Sequence, residues 1–285
     1  MRYEHLEVWC GDPSFGAWLD ELPSIVEACA ERWSLTLGEP WTNSVASLTM
    51  LAVRDGAPVV LTIGVPDRDS EFEGEALRRL AGEGAVLLLG EEPEDRALLL
   101  ERCDPGTPLF QEQPEAALDT LIGLLPRWWI PAGEPFRPLA DEAADLIVEM
   151  REHWSRTGRT VEARLIDAAT EAFEELSATQ GDQVLVNQDL HAGNVLAAER
   201  EPWLVIDPTP LSGEREFGVA SIVRGRELGH SRASVIARLD RLSGELGLDR
   251  ERARLWAFAH TVAWGFGEEP LTGHIEAATW LLDAA

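Results

Sequence analysis

The sequence predicts an α+β protein with a small N-terminal lobe built on an antiparallel sheet and a larger, mainly helical C-terminal lobe. Before residue 103, helical apolar spacing alternates with short β-branched runs in the order helix, strand, strand, helix, strand, strand. The stretch 103–108 then holds two prolines and a glycine, which is typical of a linker. We therefore expect an N-lobe over 1–102, a hinge over 103–108 and a C-lobe over 109–285, with a cleft between the lobes.

Each element of the N-lobe follows from a local pattern. The predicted elements are a helix over 14–34, strands over 45–53 and 58–65, a helix over 70–81, and strands over 85–90 and 97–102. Pro23 is expected to divide the first helix into two pieces, because a proline lacks the N–H that a helix interior needs. Asp55-Gly56 predicts a hairpin turn. Ser70 and Glu73 have the spacing of a capping box at the start of the second helix.

The C-lobe is expected to be helical except around residues 184–208, where short apolar runs predict strands. The predicted helices cover 109–129, 140–156, 160–179, 214–230, 231–247, 249–266 and 272–284. A sequence of this size, with 45% apolar residues, can bury a substantial core.

The charge balance bears on partners and location. With 51 acidic and 24 basic residues, the net charge of −27 disfavours binding to nucleic acid or to an anionic membrane. A cationic small molecule would be attracted instead. Alternatively, the acidity only maintains solubility or reflects a salt-rich host.

Cys10, Cys29 and Cys103 are too widely spaced for a disulfide or metal framework. Without an apolar leader, we expect a cytoplasmic monomer or homodimer.

Three polar residues in 184–208 point to the chemistry. Asn194 follows Asp189 by five residues, and Asp207 follows Asn194 by thirteen. A carboxylate that opens a loop, a carboxamide that closes it and a carboxylate after the next hairpin are the layout of a kinase-type phosphotransfer site. Asp189 would accept a substrate hydroxyl proton, and Asn194 and Asp207 would hold Mg²⁺ on the phosphates of ATP.

This stretch, QDLHAGNVL followed by EPWLVIDP, resembles the aminoglycoside phosphotransferase superfamily and, within it, the streptomycin and hydroxyurea phosphotransferase branch. The segments EALRRL, LLLERCDPGTPL and AHTVAWGF are similar to the same branch. The resemblance implies a bilobal protein-kinase-like fold. It also implies ATP- and Mg²⁺-dependent transfer of phosphate to a hydroxyl of a small molecule, such as an aminoglycoside or another natural product.

The resemblance also implies roles for individual residues. Asp189 would be the catalytic base, with His191 and Gly193 supporting its loop, and Asn194 and Asp207 would be the metal ligands. Glu75 would be the helix glutamate that normally pairs with a lysine. The implied nucleotide-binding residues are Thr62, Glu75, Ser44 in the phosphate loop, and Glu101, Arg102 and Cys103 around the adenine.

Several positions depart from the family pattern. Thr62 stands where the family has the phosphate-binding lysine, and no lysine occurs anywhere in the chain. Asn187 replaces an expected histidine, Thr209 an expected lysine and Gly218 an expected aspartate. Two alternatives to a working kinase therefore stay open. One is a pseudokinase-like protein that binds a nucleotide or small molecule, and the other is a biosynthetic enzyme that uses the cleft for different chemistry.

Overall fold

The structure, a computed structural model, describes Tyr3, Leu6 and residues 13–42, 47–266 and 269–284. These residues form two compact units. One comprises the described residues up to Gly106 together with Ala197–Ile206, and the other comprises Thr107–Leu196 with the described residues from Asp207 onward. None of the described helices is both long and apolar enough to cross a membrane.

The first unit is built on a five-stranded antiparallel sheet in the order β1-β2-β3-β5-β4. Its elements are α1 (Pro13–Arg32), β1 (Leu35–Trp41), β2 (Ser47–Arg54), β3 (Ala57–Gly64), α2 (Glu73–Leu80), β4 (Leu88–Glu92), β5 (Ala97–Glu101) and, after the long excursion through the second unit, β8 (Trp203–Val205). The hairpin predicted at Asp55-Gly56 joins β2 to β3, with Arg54 opposite Ala57.

The second unit is mainly helical. Its elements are α3 (Pro114–Trp128), α4 (Leu139–Arg156), α5 (Ala163–Ala178), β6 (Val184–Asn187), β7 (Val195–Ala197, whose last residue belongs to the first unit), β9 (Pro210–Gly213), α6 (Ala220–Arg224), α7 (Arg232–Leu246), α8 (Arg250–Ala263) and α9 (Thr272–Leu282). Strands β6 and β9 pair antiparallel. Helix α8 packs against α5, α6 and α9 and is buried along most of its length.

The prediction that Pro23 divides the first helix is wrong, because α1 is one continuous helix. Leu22, Val26 and Cys29 lie on both sides of the proline and are all buried in the same core cluster. Packing of this shared apolar face therefore outweighs the local cost of the missing N–H.

Strand β1 was not predicted. Its segment contains Gly38 and Pro40, which both argue against a strand interior. The strand lies at the edge of the sheet, and its register with β2 shifts between Leu37 and Pro40. An edge position with a bulge is where a proline is tolerated, because no neighbouring strand needs its N–H.

The predicted capping box of α2 is also wrong. The helix begins at Glu73, and no side chain caps its N-terminus. Ser70 instead donates its hydroxyl to the carbonyl of Val65, 2.7 Å away. The carboxylate of Asp67 accepts from the backbone N–H groups of Asp69 and Ser70, so an Asx-type turn precedes the helix.

Other elements begin or end at residues different from those predicted. The strand predicted over 85–90 is β4, three residues later, and the helix predicted over 109–129 begins at Pro114 after a short 3-10 turn. The helix predicted over 214–230 is only α6, flanked by two 3-10 turns. Gly225 ends α6 with a ψ of 111°, which lies outside the helical region.

Candidate active site

The loop that follows β6 is fixed at its start by the side chain of Asn187. This side chain is buried, and its Oδ1 accepts from the N–H of Asp189 at 3.0 Å and from the N–H of Thr209 at 3.1 Å. The N–H of Gln188 donates to the carbonyl of Thr209 at 3.0 Å. One amide oxygen therefore ties the loop after β6 to the segment before β9, which explains what Asn187 does in place of the expected histidine.

The carboxylate of Asp189 is oriented on both oxygens. Asn194 donates its Nδ2 to the carbonyl of Asp189 at 3.1 Å and to Oδ2 at 3.3 Å. His191 Nε2 lies 3.6 Å from the same Oδ2, and Arg224 Nη2 lies 3.7 Å from Oδ1. The Asp189 side chain remains 28% exposed, so a substrate group can reach it.

The ring of His191 turns back onto its own loop. Its Nδ1 accepts from the N–H of Gly193 at 3.0 Å, so the neutral ring carries its proton on Nε2, the nitrogen that faces Asp189. Burial lowers the pKa of His191, whereas the carboxylates of Asp189 and Glu227 raise it by more, and the net shift is upward. His191 thus adds a polarised N–H to the surroundings of the Asp189 carboxylate.

Glycine is needed at position 193 because a larger residue would collide with a neighbouring side chain, and not because the backbone has an unusual angle. A Cβ on Gly193 would lie 2.5 Å from His191 Cε1 and 2.8 Å from Nδ1, closer than real side chains approach. Its φ is not among the positive values in the chain. The glycine therefore permits the close approach of the His191 ring.

Three residues that the sequence did not single out attach the α6 region to this loop. Ser221 donates its hydroxyl to the carbonyl of Gln188, and Arg224 faces Asp189. Glu227 accepts from the N–H of Ala192 at 3.3 Å. The three positions are spaced three residues apart, but Gly225 ends α6 after Arg224, so Glu227 lies in the following 3-10 turn and not on the same helix. The only signal in the sequence is this spacing, which is too common to be diagnostic.

Asn194 and Asp207 offer oxygen donors of the kind that suit Mg²⁺. Because Asn194 uses its Nδ2 on Asp189, its Oδ1 points elsewhere, and within the described part of the chain it accepts no hydrogen bond. Asp207 is exposed and has a φ of +52°, a left-handed conformation that aspartate adopts more readily than most residues. No group of three or more His, Cys, Asp or Glu side chains gathers as a metal site in the described ranges.

In the first unit, Thr62 lies in the central strand β3, opposite Thr49 of β2 and Leu98 of β5. It is only 8% exposed. Glu75 of α2 is paired within its own helix, with Arg78 and with Arg79 Nε at 2.7 Å. The partners of this glutamate are therefore arginines three and four residues further along the helix, and not a residue of β3.

The predicted adenine segment follows β5. The carboxylate of Glu101 pairs with Arg200, whose Nη2 lies 2.7 Å from Oε1. The backbone N–H of Glu101 donates a hydrogen bond to the carbonyl of Leu87. Arg102 is exposed. Burial and the Glu101 carboxylate raise the pKa of the Cys103 thiol to about 11, so this cysteine stays protonated. Ser44, predicted for the phosphate loop, lies outside the described residues.

Gly218, where the family resemblance predicts aspartate, is buried in the 3-10 turn before α6. A Cβ there would lie 3.4 Å from Trp129 Nε1 and 3.5 Å from Val186 Cγ1, which is ordinary contact. A methyl group would therefore fit at this position. The glycine is therefore enclosed by the side chains of Trp129 and Val186.

Comparison with known proteins identifies relatives over most of the chain. A family model described as "Aminoglycoside/hydroxyurea antibiotic resistance kinase" matches residues 32–266. The chain is 39% identical to hydroxyurea phosphotransferase of Kitasatospora aureofaciens over 86% of this chain and 72% of that protein. It is 37% identical to streptomycin 6-kinase of Streptomyces glaucescens over 85% of this chain and 81% of that protein.

Solved structures with the same fold are more distant in sequence. Choline kinase LicA from Streptococcus pneumoniae superposes with a TM-score of 0.65 at 12% identity, covering 92% of this chain and 99% of that one. Aminoglycoside phosphotransferase APH(4)-Ia in ternary complex with ADP and hygromycin B gives a TM-score of 0.58 at 16% identity, with 90% and 95% covered. These matches confirm the predicted protein-kinase-like fold.

Proposed function

The chain belongs to the aminoglycoside/hydroxyurea antibiotic resistance kinase family, and from that premise we propose that it transfers the γ-phosphoryl group of ATP to a hydroxyl of a small molecule. The observation that carries the proposal is the Asp189 carboxylate. It is accessible, yet it is held by Asn194, His191 and Arg224 around one loop. A loose phosphoryl transition state requires this kind of positioning more than it requires a strong base.

In the proposed step, Asp189 orients the substrate hydroxyl and receives its proton. The hydroxyl oxygen forms the new bond to the γ-phosphorus, and the bond from that phosphorus to the β,γ-bridging oxygen breaks to release ADP. Oδ2 of Asp189 faces Asn194 and His191. Oδ1 is therefore the oxygen that we assign to the substrate hydroxyl.

Asn194 and Asp207 are the residues that would hold Mg²⁺. A neutral amide oxygen and a carboxylate oxygen are hard donors, which suits this cation. When bound, Mg²⁺ would neutralise phosphate charge. Asn194 would then bind the metal through its Oδ1 and orient Asp189 through its Nδ2.

For the nucleotide we propose binding by the first unit, with Thr62, Glu75 and Ser44 contributing to the nucleotide site and the segment after β5 contributing to adenine recognition. The backbone N–H of Glu101 already donates a hydrogen bond to the carbonyl of Leu87. We therefore assign adenine recognition to the carbonyl of Glu101 and the backbone of Arg102 and Cys103. The proposed division is nucleotide binding by 1–102, a hinge over 103–108 and substrate binding by 109–285.

For the acceptor we propose the substrate classes that the relatives' names carry, an aminoglycoside such as streptomycin or the small hydroxylated molecule hydroxyurea. The net charge of −27 favours the cationic aminoglycoside. We place the reaction in the cytoplasm, with the protein acting as a monomer or homodimer on a free small molecule.

The test is turnover of ATP and Mg²⁺ with streptomycin or hydroxyurea, with mass spectrometry of the acceptor to detect an added phosphoryl group. Asp189→Asn should lower kcat by at least about 100-fold and leave ATP affinity, measured by calorimetry, within about twofold. Asp207→Ala should instead weaken Mg²⁺-dependent ATP binding. Undetectable ATP binding at millimolar nucleotide, or full activity of Asp189→Asn, would sink the proposal.

One observation favours a second candidate function, binding of nucleotide without transfer. Thr62 carries no charge where the family resemblance predicts lysine, and Glu75 is already satisfied by Arg78 and Arg79. A wild-type protein that binds ATP and phosphorylates neither acceptor would support this candidate over the first.

A further inference from the structure

Arg224 is an almost completely buried arginine at the edge of the site. Its side chain is 8% exposed, with Nη2 3.7 Å from Asp189 Oδ1 and Nη1 2.6 Å from Nδ1 of His260. Removing a guanidinium group from water has a large desolvation cost, which exposed ion pairs avoid. A buried arginine in this place therefore requires compensation from the groups around it.

Several neighbouring groups supply that compensation. The group lies over the ring of Trp264, 4.8 Å from its centroid. Burial lowers the pKa of Arg224 to about 10, while the carboxylates of Asp189 and Glu227 oppose the decrease. The side chain is therefore still a cation at neutral pH.

His260 of α8 supplies a fixed acceptor for this cation. The residue is fully buried, and burial together with the charge of Arg224 lowers its pKa well below the ordinary value, so the ring is neutral. Its Nδ1 faces Arg224, which places the ring proton on Nε2. The ring packs edge-on against Phe217, with centroids 5.1 Å apart, and at a tilt against Trp264, with centroids 4.6 Å apart, so its orientation is set by packing.

The backbone around Arg224 is also anchored. Arg238 of α7 is buried and donates to the carbonyl of Val223 at 2.8 Å and to the carbonyl of Leu228 at 2.9 Å. Ser221 and Glu227 attach the same segment to the loop. Arg224 is therefore held at its backbone as well as at its guanidinium.

We propose that Arg224 and His260 form a positioning pair that sets the orientation of the Asp189 carboxylate, an inference that rests on the proposed function. Asn194 and His191 constrain Oδ2, and Arg224 is the cation that faces Oδ1. A separation of 3.7 Å is a charge contact and leaves Oδ1 able to accept a hydrogen bond from a substrate hydroxyl. His260 acts through Arg224 and touches neither Asp189 nor the substrate.

The first test compares Arg224→Met with Arg224→Lys. Methionine fills similar space without the charge, and we expect kcat to fall about 100-fold because the carboxylate loses its fixed orientation. Lysine keeps the cation and should retain a kcat at least about 10-fold above that of the methionine variant, while the KM for ATP stays within about twofold in both. Equal kcat values for wild type and Arg224→Met would overturn the pair.

Arg254 provides a matched control. Its side chain is 4% exposed on α8, and it pairs with Glu251 and donates to the carbonyl of Leu281 at 2.6 Å. Arg254→Met should lower thermal stability, as removal of any buried arginine should, and leave the kcat of the folded protein unchanged. A similar fall in kcat for Arg254→Met would mean that Arg224 acts only through general stability.

The second test examines whether the two residues act as a unit. His260→Leu removes the acceptor, whereas His260→Asn keeps an oxygen near the position of Nδ1 and should retain more of the kcat. The double variant with Arg224→Met and His260→Leu should be no slower than Arg224→Met alone, because the histidine acts through the arginine. Fully multiplicative losses would contradict the pairing.

A third measurement needs no turnover. Hydrogen exchange at the backbone amides of 189–194 should be faster in Arg224→Met than in Arg224→Lys or wild type, because the loop loses a partner for Asp189. Identical exchange in all three proteins would overturn the pair even if no substrate is found. A wild type that turns over neither acceptor, combined with faster exchange in Arg224→Met, would refute the proposed function and leave the positioning pair supported.

Discussion

Asn187 shows how one buried side chain can organise a site. Its amide oxygen accepts from the two N–H groups of Asp189 and Thr209, whereas its Nδ2 has no hydrogen-bond partner within the described ranges. A histidine nitrogen in the plane of the ring could accept only one of these N–H groups. Asn187 therefore has a structural function that the predicted histidine would supply only in part.

Substitution of this residue gives the first prediction at the residue scale. Asn187→Ala should lower the free energy of unfolding by about 1–3 kcal/mol, because two backbone N–H groups lose their acceptor. Urea denaturation measures the change. The control is Gln183→Ala, which removes an amide from an exposed position just before β6 and should change stability by less than about 0.5 kcal/mol. Equal effects of the two substitutions would contradict this account of Asn187.

His274 of α9 gives a prediction about pH. Burial and the charges of Arg224, Arg226 and His230 lower its pKa from 6.5 to about 4. The unfolded chain therefore takes up a proton at this residue before the folded protein does. Stability is lost as pH falls from about 6.5 toward about 4, and it is fully retained above that range.

His274→Gln removes this proton uptake. Between pH 7 and pH 5 the wild type should lose about 1 kcal/mol more stability than the variant, after an allowance for the partial exposure of the ring. Urea unfolding at both pH values checks this, and the difference at pH 7 provides the baseline for the substitution itself. Parallel losses in the two proteins would show that His274 is not the titrating group.

At the scale of elements, β3 and α2 present the clearest departure from the expected site. Thr62 is a buried neutral residue in the central strand, and the negative charge of Glu75 is balanced by Arg78 and Arg79 on its own helix. The charge of Glu75 is therefore balanced within its own helix, whereas Thr62 contributes no charge from β3.

Thr62→Lys tests what the neutral side chain at this position means for nucleotide binding. A charge-assisted contact to phosphate contributes about 1.5–3 kcal/mol, so we expect ATP affinity measured by calorimetry to rise about 10-fold or more. Thr62→Met, with similar length and no charge, is the matched control and should give no gain. Unchanged or weaker binding by the lysine variant would indicate that the phosphate site is built around a neutral residue.

The elements also show what sequence patterns can and cannot predict. The hairpin at Asp55-Gly56 and the long helices of the second unit follow from local signals, and the structure confirms them. Helix α1 continues through Pro23 because both of its halves are buried in a shared core, and β1 tolerates a proline because it lies at the edge of the sheet. Burial in a shared core and an edge position in a sheet both depend on residues distant in the sequence, so local patterns do not indicate them.

At the scale of the whole molecule, the family and the protein-kinase-like fold could be predicted because Asp189, Asn194 and Asp207 keep a spacing that few other sites use. The contacts of Ser221, Arg224 and Glu227 with the loop could not be predicted, since they join residues about 33–35 positions apart. The sequence therefore points to the proposed reacting groups more readily than to the residues that contact them.

The net charge of −27 also belongs to this scale, and it separates the two proposed acceptors. Streptomycin is a polycation, so a strongly acidic protein should speed its association at low ionic strength. Its kcat/KM should fall roughly 10-fold between about 20 mM and about 500 mM KCl, because salt shortens the range of the attraction. Hydroxyurea is uncharged and serves as the internal control, with a change below about twofold. Both series use saturating ATP, since the same field repels the anionic nucleotide. Equal losses for the two acceptors would place the salt effect on the protein or the nucleotide, and the acidic surface would then have no part in selecting the substrate.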